Sequence, residues 1–166
     1  MIKVEKKGKL FITIDKNAFQ LYSRSFFGDK KDNFIIYTPQ EVLYLLKKNK
    51  INLFEKNKKI SFNQLLKKLN EKEIDYYIVF EDLRNRGYIL KSGLKFGGDF
   101  IVYDKGKKPN KDHSDWVLVI FKRNKNINIK DFVSKIRVAT STNKKLLIAL
   151  IEEKKIVYYE VKWKKM

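Results

Sequence analysis

His113 is the side chain best suited to proton transfer near neutral pH, because an imidazole titrates in that range. It stands in the polar segment 111–114, directly before an apolar run that reads as a strand. A lone histidine is more often structural than catalytic, but this placement in a polar loop favours a catalytic role. It is the only histidine, and the chain has no cysteine, so disulfides, thiolate metal sites and multi-histidine zinc sites are excluded.

The chain carries a large positive charge, +19, from 38 basic and 19 acidic residues. A composition rich in lysine and asparagine is also typical of an A/T-rich genome, but that origin does not explain the imbalance. A polyanion would relieve the self-repulsion, and its phosphates would add affinity through counterion release. We therefore expect a nucleic acid partner, ahead of an acidic protein and well ahead of a membrane surface.

The length of 166 residues and the 43% hydrophobic content allow one medium domain or two small ones. No apolar run approaches the roughly 20 residues of a membrane span. Residues 1–7 lack the apolar segment and cleavage site of a signal peptide. The sequence therefore predicts a cytoplasmic protein without membrane contact.

Short strands and helices alternate in the first half of the chain. Apolar and polar residues alternate along 1–37, including 19–22, which predicts short antiparallel strands. Two helices are predicted after Thr38 and Ser61, since each of these residues opens a capping-box pattern. Residues 51–54 are predicted to form a strand between the two helices.

The second half is richer in glycine and strands. A helix from Ile74 to about Asn85 precedes it, and Asn128 is predicted to cap a further helix. The predicted strands are 88–91, 98–104, 115–122, 145–151 and 155–163. Together these elements predict an α+β fold. A small N-terminal α/β domain of short strands and helices (1–76) packs on a C-terminal domain (77–166) with a mixed sheet and flanking helices.

Four blocks of the C-terminal half carry a family pattern. The segment 81–106 contains Asp-Leu-Arg-Asn-Arg-Gly-Tyr and then Lys-Ser-Gly-Leu-Lys-Phe-Gly-Gly-Asp-Phe-Ile-Val-Tyr. Lys-Asp-His-Ser follows at 111–114, Phe-Val-Ser-Lys-Ile-Arg-Val-Ala-Thr-Ser at 132–141, and Lys-Lys-Leu-Leu-Ile-Ala at 144–149. In this order the blocks closely resemble the archaeal tRNA-splicing endonucleases. The resemblance is strong over about 81–166 and loose before it.

This resemblance implies a catalytic trio of Tyr103, His113 and Lys144. Enzymes of the family let the ribose 2′-hydroxyl attack the adjacent phosphate, which leaves a 2′,3′-cyclic phosphate and a 5′-hydroxyl without a metal or cofactor. Tyr103 would be the general base, His113 the general acid and Lys144 the electrostatic stabiliser. Without the resemblance, Tyr103 would be interpreted as a half-buried tyrosine of the sheet and Lys144 as a solvated lysine. Alternation along a strand places Lys144 and Lys145 on opposite faces.

A phenol with a pKa near 10 is a poor base at neutral pH. We therefore expect Lys144, with help from Arg137, to lower the pKa of Tyr103 by favouring the phenolate.

The resemblance also implies RNA contacts outside the trio. Arg137 matches a family arginine that grips bulged nucleotides, a task suited to a planar guanidinium. The alternative for Arg137 is an ion pair with Glu160. A second clamp arginine near the C-terminus is not evident, and we expect Lys162 and Trp163, which occupy that region, to contact RNA.

In this family, four subunit-sized units assemble, with dimers formed through the C-terminal strands. An acidic loop of one subunit also inserts into a basic groove of another. The equivalent segment here, 151–156, has two acidic and two basic residues. We therefore expect a heterotetramer with a structural subunit, with a homotetramer as the alternative. The leading function is cleavage of precursor tRNA at a bulge–helix–bulge. The alternatives are a non-catalytic RNA-binding subunit of the same complex and a basic ribosome-associated RNA-binding protein.

Overall fold

The chain forms two compact units in the computed structural model, which describes residues 1–153 and 155–166. The first unit is Met1–Glu81 and the second is Asp82–Met166. Each unit contains one β-sheet with helices, so the predicted α+β class is confirmed. The boundary between the units falls inside a helix, and the functional division after residue 76 stays a prediction.

The first unit is built on a six-stranded sheet with the order β3-β4-β2-β1-β5-β6. Its strands are β1 (Ile2–Lys7), β2 (Leu10–Thr13), β3 (Asp29–Lys30), β4 (Ile35–Tyr37), β5 (Ile51–Glu55) and β6 (Lys58–Ile60). Its helices are α1 (Lys16–Ser25), α2 (Pro39–Lys47), α3 (Phe62–Leu66) and most of α4 (Glu71–Asn85). The strands of the first 37 residues pair antiparallel as predicted, whereas β1 pairs with β5 in parallel.

Both predicted capping boxes are present. The Thr38 and Ser61 side chains accept from the backbone N–H groups of Glu41 and Gln64, whose side chains accept in return from the cap backbone. These reciprocal bonds satisfy N–H groups that the first helical turn leaves without partners. They explain why α2 and α3 begin where the sequence predicts.

The prediction of a strand at 19–22 is wrong, because these residues lie inside helix α1. The Asp15 side chain accepts from the Asn17 backbone N–H and begins the helix as its N-cap. Its inner side repeats at Ala18, Leu21 and Tyr22, which are buried or half-buried. That spacing of three and four residues is the helical period, which the local alternation concealed.

The second unit is built on a five-stranded sheet with the order β11-β10-β9-β8-β7. Its strands are β7 (Ile89–Ser92), β8 (Phe100–Tyr103), β9 (Trp116–Lys122), β10 (Lys145–Glu152) and β11 (Lys155–Val161). A 3-10 helical turn, Leu94–Phe96, joins β7 to β8, and helix α5 (Ile129–Ser141) connects β9 to β10. Asn128 caps α5 as predicted. Only β9 and β10 pair in parallel, so the sheet is mixed.

Helix α5 packs on one face of this sheet. Val117, Val119 and Leu146 of the sheet form a buried cluster with Ala139 of the helix. Half-buried side chains complete it, among them Phe96, Ile101, Phe121, Phe132, Ile136, Ile148 and Val161. This packing fixes α5 and the 3-10 turn against the sheet beside the strand ends that carry the candidate site.

Neither described stretch of the chain, 1–153 or 155–166, contains a helix long and apolar enough to cross a membrane.

Candidate active site

The strand topology brings the three candidate catalytic residues together at the same ends of three adjacent strands in the second sheet. Tyr103 is the last residue of β8, His113 lies three residues before β9, and Lys144 directly precedes β10. The pairing register aligns Val102, Trp116 and Lys145 across the three strands. Because β8 runs antiparallel to the other two strands, its C-terminal end meets their N-terminal ends. Residues far apart in sequence therefore become neighbours.

Tyr103, His113 and Lys144 line one cavity of about 330 Å³. The other lining residues are Phe96, Ile101, Pro109, Asn110, Lys111, Asp112 and Ser114. The cavity therefore combines a phenol, an imidazole and two ammonium groups with one carboxylate. Arg137, Lys162 and Trp163 are not among its lining residues.

Tyr103 lies almost entirely inside the protein, with 8% of its surface exposed. Burial raises the pKa of its phenol, since a low-dielectric surrounding disfavours the phenolate. The expectation that Lys144 and Arg137 lower this pKa is therefore wrong for the protein without RNA. The loss of hydration at this buried strand end determines the direction of the pKa shift.

Lys144 is held by contacts with three neighbouring segments. Its Nζ donates to the Ser114 carbonyl at 3.2 Å and lies 5.0 Å from the centroid of the Phe96 ring. Its backbone N–H donates to the Ala139 carbonyl at the end of α5, at 2.8 Å. Burial lowers the pKa of this ammonium. The adjacent Lys145 instead pairs with Glu160 at 3.4 Å.

His113 is exposed and follows a compact turn. The Lys108 backbone N–H donates to the Asp112 carboxylate at 2.6 Å, and the Asp112 backbone N–H donates to the Lys108 carbonyl at 2.8 Å. These reciprocal bonds tie the two ends of the turn together. The imidazole is consequently presented at the cavity wall while it stays open to an incoming ligand.

Asp115 is a residue near the cavity that sequence reasoning missed. Its carboxylate accepts from Lys107 Nζ and from the Asp104 backbone N–H. The available signal was an acidic residue directly after the block that contains His113, at the first position of the predicted strand 115–122. Position 115 lies outside the four quoted blocks, so the resemblance did not select it.

The three residues expected to contact RNA are exposed and lie on α5 and after β11. Arg137 is exposed on α5. Its suggested partner Glu160 instead accepts from Trp116 Nε1 at 2.9 Å and pairs with Lys145 and Lys162. Trp163 follows β11 with 61% of its surface exposed. An exposed guanidinium and an exposed indole are both groups that can stack on unpaired bases.

Within residues 1–153 and 155–166, no group of three or more His, Cys, Asp or Glu side chains is arranged to hold a metal ion.

Comparison with known proteins gives the same result for both halves of the chain. Residues 1–66 match the family model of the tRNA intron endonuclease N-terminal domain. Residues 74–159 match that of the tRNA intron endonuclease catalytic C-terminal domain.

Three similar archaeal proteins are each named tRNA-splicing endonuclease. The protein of Pyrococcus abyssi is 32% identical over 159 residues, covering 93% of this chain and 91% of its own length. That of Methanothermobacter thermautotrophicus is 35% identical over 148 residues, covering 88% and 87%. That of Nanoarchaeum equitans is 41% identical over 134 residues, covering 75% and 86%.

Proposed function

The chain belongs to the tRNA intron endonuclease family, and we propose from this that it is a catalytic subunit that cuts precursor tRNA at the intron boundaries. It acts in the cytoplasm on a bulge–helix–bulge, in which unpaired nucleotides flank a short helix. Side chains read little sequence from an A-form helix, whereas splayed bases of a bulge can be stacked and hydrogen-bonded. The bulges therefore determine where the RNA is cut.

The reaction is an internal transesterification. The ribose 2′-oxygen forms a bond to the adjacent phosphorus, and its proton passes to Tyr103 in the phenolate form, the minor form that burial disfavours in the protein without RNA. The bond between phosphorus and the 5′-oxygen breaks, and that oxygen takes a proton from His113. Lys144 stabilises the negative charge that develops on the phosphoryl oxygens. The products are a 2′,3′-cyclic phosphate and a 5′-hydroxyl, and the balance requires neither water, metal nor cofactor.

One observation carries this proposal: a phenol, an imidazole and an ammonium from three separate segments line the same cavity. Its volume is within the range of pockets that hold small ligands. The unit Asp82–Met166 contains 21 basic and nine acidic residues. This excess of positive charge attracts a polyanion and supports RNA as the substrate.

RNA contacts beyond the cavity come from Arg137, Lys162 and Trp163. The exposed guanidinium and indole stack on unpaired bases, and the lysine contacts a phosphate. Such contacts hold the bulge while the reacting phosphate enters the cavity.

The assembly is a heterotetramer with a structural subunit, in which two units pair through their C-terminal strands. Strand β11 supports this pairing because it is the edge strand of its sheet, where one row of backbone groups has no strand neighbour among the described residues. The high positive charge also favours an acidic partner subunit. Sedimentation of the purified chain alone tests the composition, and an active homotetramer would refute it.

The central experiment incubates the chain with intron-containing precursor tRNA in EDTA, with and without a structural subunit. We expect two cuts that leave 2′,3′-cyclic phosphate and 5′-hydroxyl ends. His113→Ala should abolish them, since the leaving 5′-oxygen loses its proton donor. Lys108→Ala is the matched control: it removes a charged side chain from the same turn, at an exposed position outside the cavity lining.

The other functions predict different results. Binding of precursor tRNA without cleavage in any combination would indicate a non-catalytic subunit. Salt-sensitive binding that is equal for all RNAs would indicate a basic ribosome-associated protein. Cleavage that survives His113→Ala would refute the assignment of the general acid.

A further inference from the structure

The Asp115 side chain joins the two ends of the loop that follows Tyr103. One carboxylate oxygen accepts from the Asp104 backbone N–H at 2.9 Å. The other oxygen accepts from Lys107 Nζ in an ion pair. The chain between Tyr103 and His113 is therefore fastened near its beginning to a residue just after its end.

The Asp115 backbone extends this connection to the strands on either side. Its N–H donates to the Val102 carbonyl at 2.9 Å, next to Tyr103. Its carbonyl accepts from the Lys145 N–H at 3.0 Å, next to Lys144. Through four hydrogen bonds, one residue thus links the segments that carry all three cavity groups.

From this arrangement we propose that Asp115 is a positioning residue of the cavity, which sets the relative placement of Tyr103, His113 and Lys144 and adds a negative charge near Lys144. The inference rests on the proposed function, in which these three groups cleave RNA. Asp115 itself is not among the residues that line the cavity. It acts through the groups that it holds.

The charges around Lys144 support the electrostatic part of this role. Burial lowers the pKa of Lys144, the negative charge of Asp115 raises it, and the positive charge of Lys107 lowers it. Although burial raises the pKa of the Asp115 carboxyl, the hydrogen bonds from Lys107 and the Asp104 N–H hold it below its ordinary value. Asp115 is therefore ionised at neutral pH and opposes the two effects that lower the pKa of Lys144.

Other titratable groups also line the cavity with Lys144. They are Tyr103, Lys111, Asp112 and His113. Asp112 is the one carboxylate in that lining, and it accepts from the Lys108 backbone N–H at 2.6 Å. Asp115 is the carboxylate whose charge raises the pKa of Lys144, so removing that charge should lower the pKa.

The test compares Asp115→Asn, Lys107→Gln and Asp104→Asn with the unaltered chain. The Asp104 carboxylate bonds to the Lys105 backbone N–H and lies outside the cavity lining. It is therefore a matched control for loss of an acidic group in the same loop. Circular dichroism first establishes that each variant is folded.

The first readout is the pKa of Lys144, followed by NMR of ¹³C-labelled lysine side chains and assigned with Lys144→Arg. We expect Asp115→Asn to lower this pKa, Lys107→Gln to raise it, and Asp104→Asn to leave it close to that of the unaltered chain. Opposite shifts cannot arise from general loosening of the loop. An unchanged Lys144 titration in Asp115→Asn, or shifts of the same sign in the first two variants, would overturn the proposal.

The second readout is single-turnover cleavage of precursor tRNA against pH. Asp115→Asn should reduce the rate by about 10- to 100-fold, the effect of displacing reacting groups by about 1 Å, and move the alkaline limb to lower pH. A rate equal to that of Asp104→Asn would overturn the positioning role. If the unaltered chain fails to cleave with any subunit, the proposed function fails instead, and the NMR result still decides the electrostatic role. If Asp115→Asn does not fold, the sign of the Lys107→Gln shift decides it.

Discussion

Gly98 lies beside the core that supports the cavity, and replacing it with alanine should disturb that core. A Cβ at this position would overlap Val117 Cγ1 and lie 3.0 Å from the Leu118 carbonyl oxygen. Val117 is completely buried in the cluster below helix α5. The new methyl group therefore has no space unless the strand or the valine moves.

The size of the effect follows from this overlap. Forcing a methyl group into a packed core costs about 1–3 kcal/mol in the free energy of unfolding. Val117→Ala alone removes two buried methyl groups and should cost about 1.5–2.5 kcal/mol. The same substitution also removes the atom that Gly98→Ala meets. The double variant should then be more stable than the sum of the single effects predicts, by about 1–2 kcal/mol.

Urea denaturation followed by circular dichroism measures all four members of this double-mutant cycle. Gly97→Ala is the control, because a Cβ there has nothing within 4 Å. Its positive φ of 66° still costs about 1–2 kcal/mol, and that cost should add to the Val117→Ala cost without coupling. Strict additivity of Gly98→Ala with Val117→Ala would refute the reasoning, as would equal coupling for Gly97→Ala.

Two further predictions concern pH. Burial raises the pKa values of Tyr37 and Tyr77, so the folded chain keeps protons that the unfolded chain releases, and the free energy of unfolding should fall above about pH 10. Tyr37→Phe should make that fall shallower in urea titrations at pH 10 to 11.5. Hydrogen bonds from Lys6 and Lys68 lower the pKa of Glu55 from 4.5 to about 2, so their stabilisation is lost as the pH falls through that range. Glu55→Gln should remove this acid dependence of the melting temperature.

Much of the fold was predictable because local signals coincide with it. Capping boxes at Thr38 and Ser61 and the cap at Asn128 mark helix starts through bonds between residues close in sequence. The parallel pairing of β1 with β5 was not predictable in this way. It joins residues about 50 positions apart, such as Val4 and Leu53, and no turn between them specifies the partner.

The candidate site divides along the same line. Residue types and block order indicate Tyr103, His113 and Lys144, but their environments depend on the folded chain. The raised pKa of Tyr103 follows from burial at a strand end, which the sequence does not reveal. The contacts of Asp115 likewise join residues that only the sheet brings together.

The parallel alignment of β9 and β10 separates the cavity from the connection between them. The seven residues of β9, at about 3.3 Å each, place the segment 123–127 roughly 20 Å from the strand ends that carry the cavity. The segment 123–127 can therefore change in length during evolution, or accept an inserted tag, without altering the spacing of the three side chains. A residue added in 104–112 would not be tolerated in the same way, because it would directly change the position of His113 relative to Tyr103.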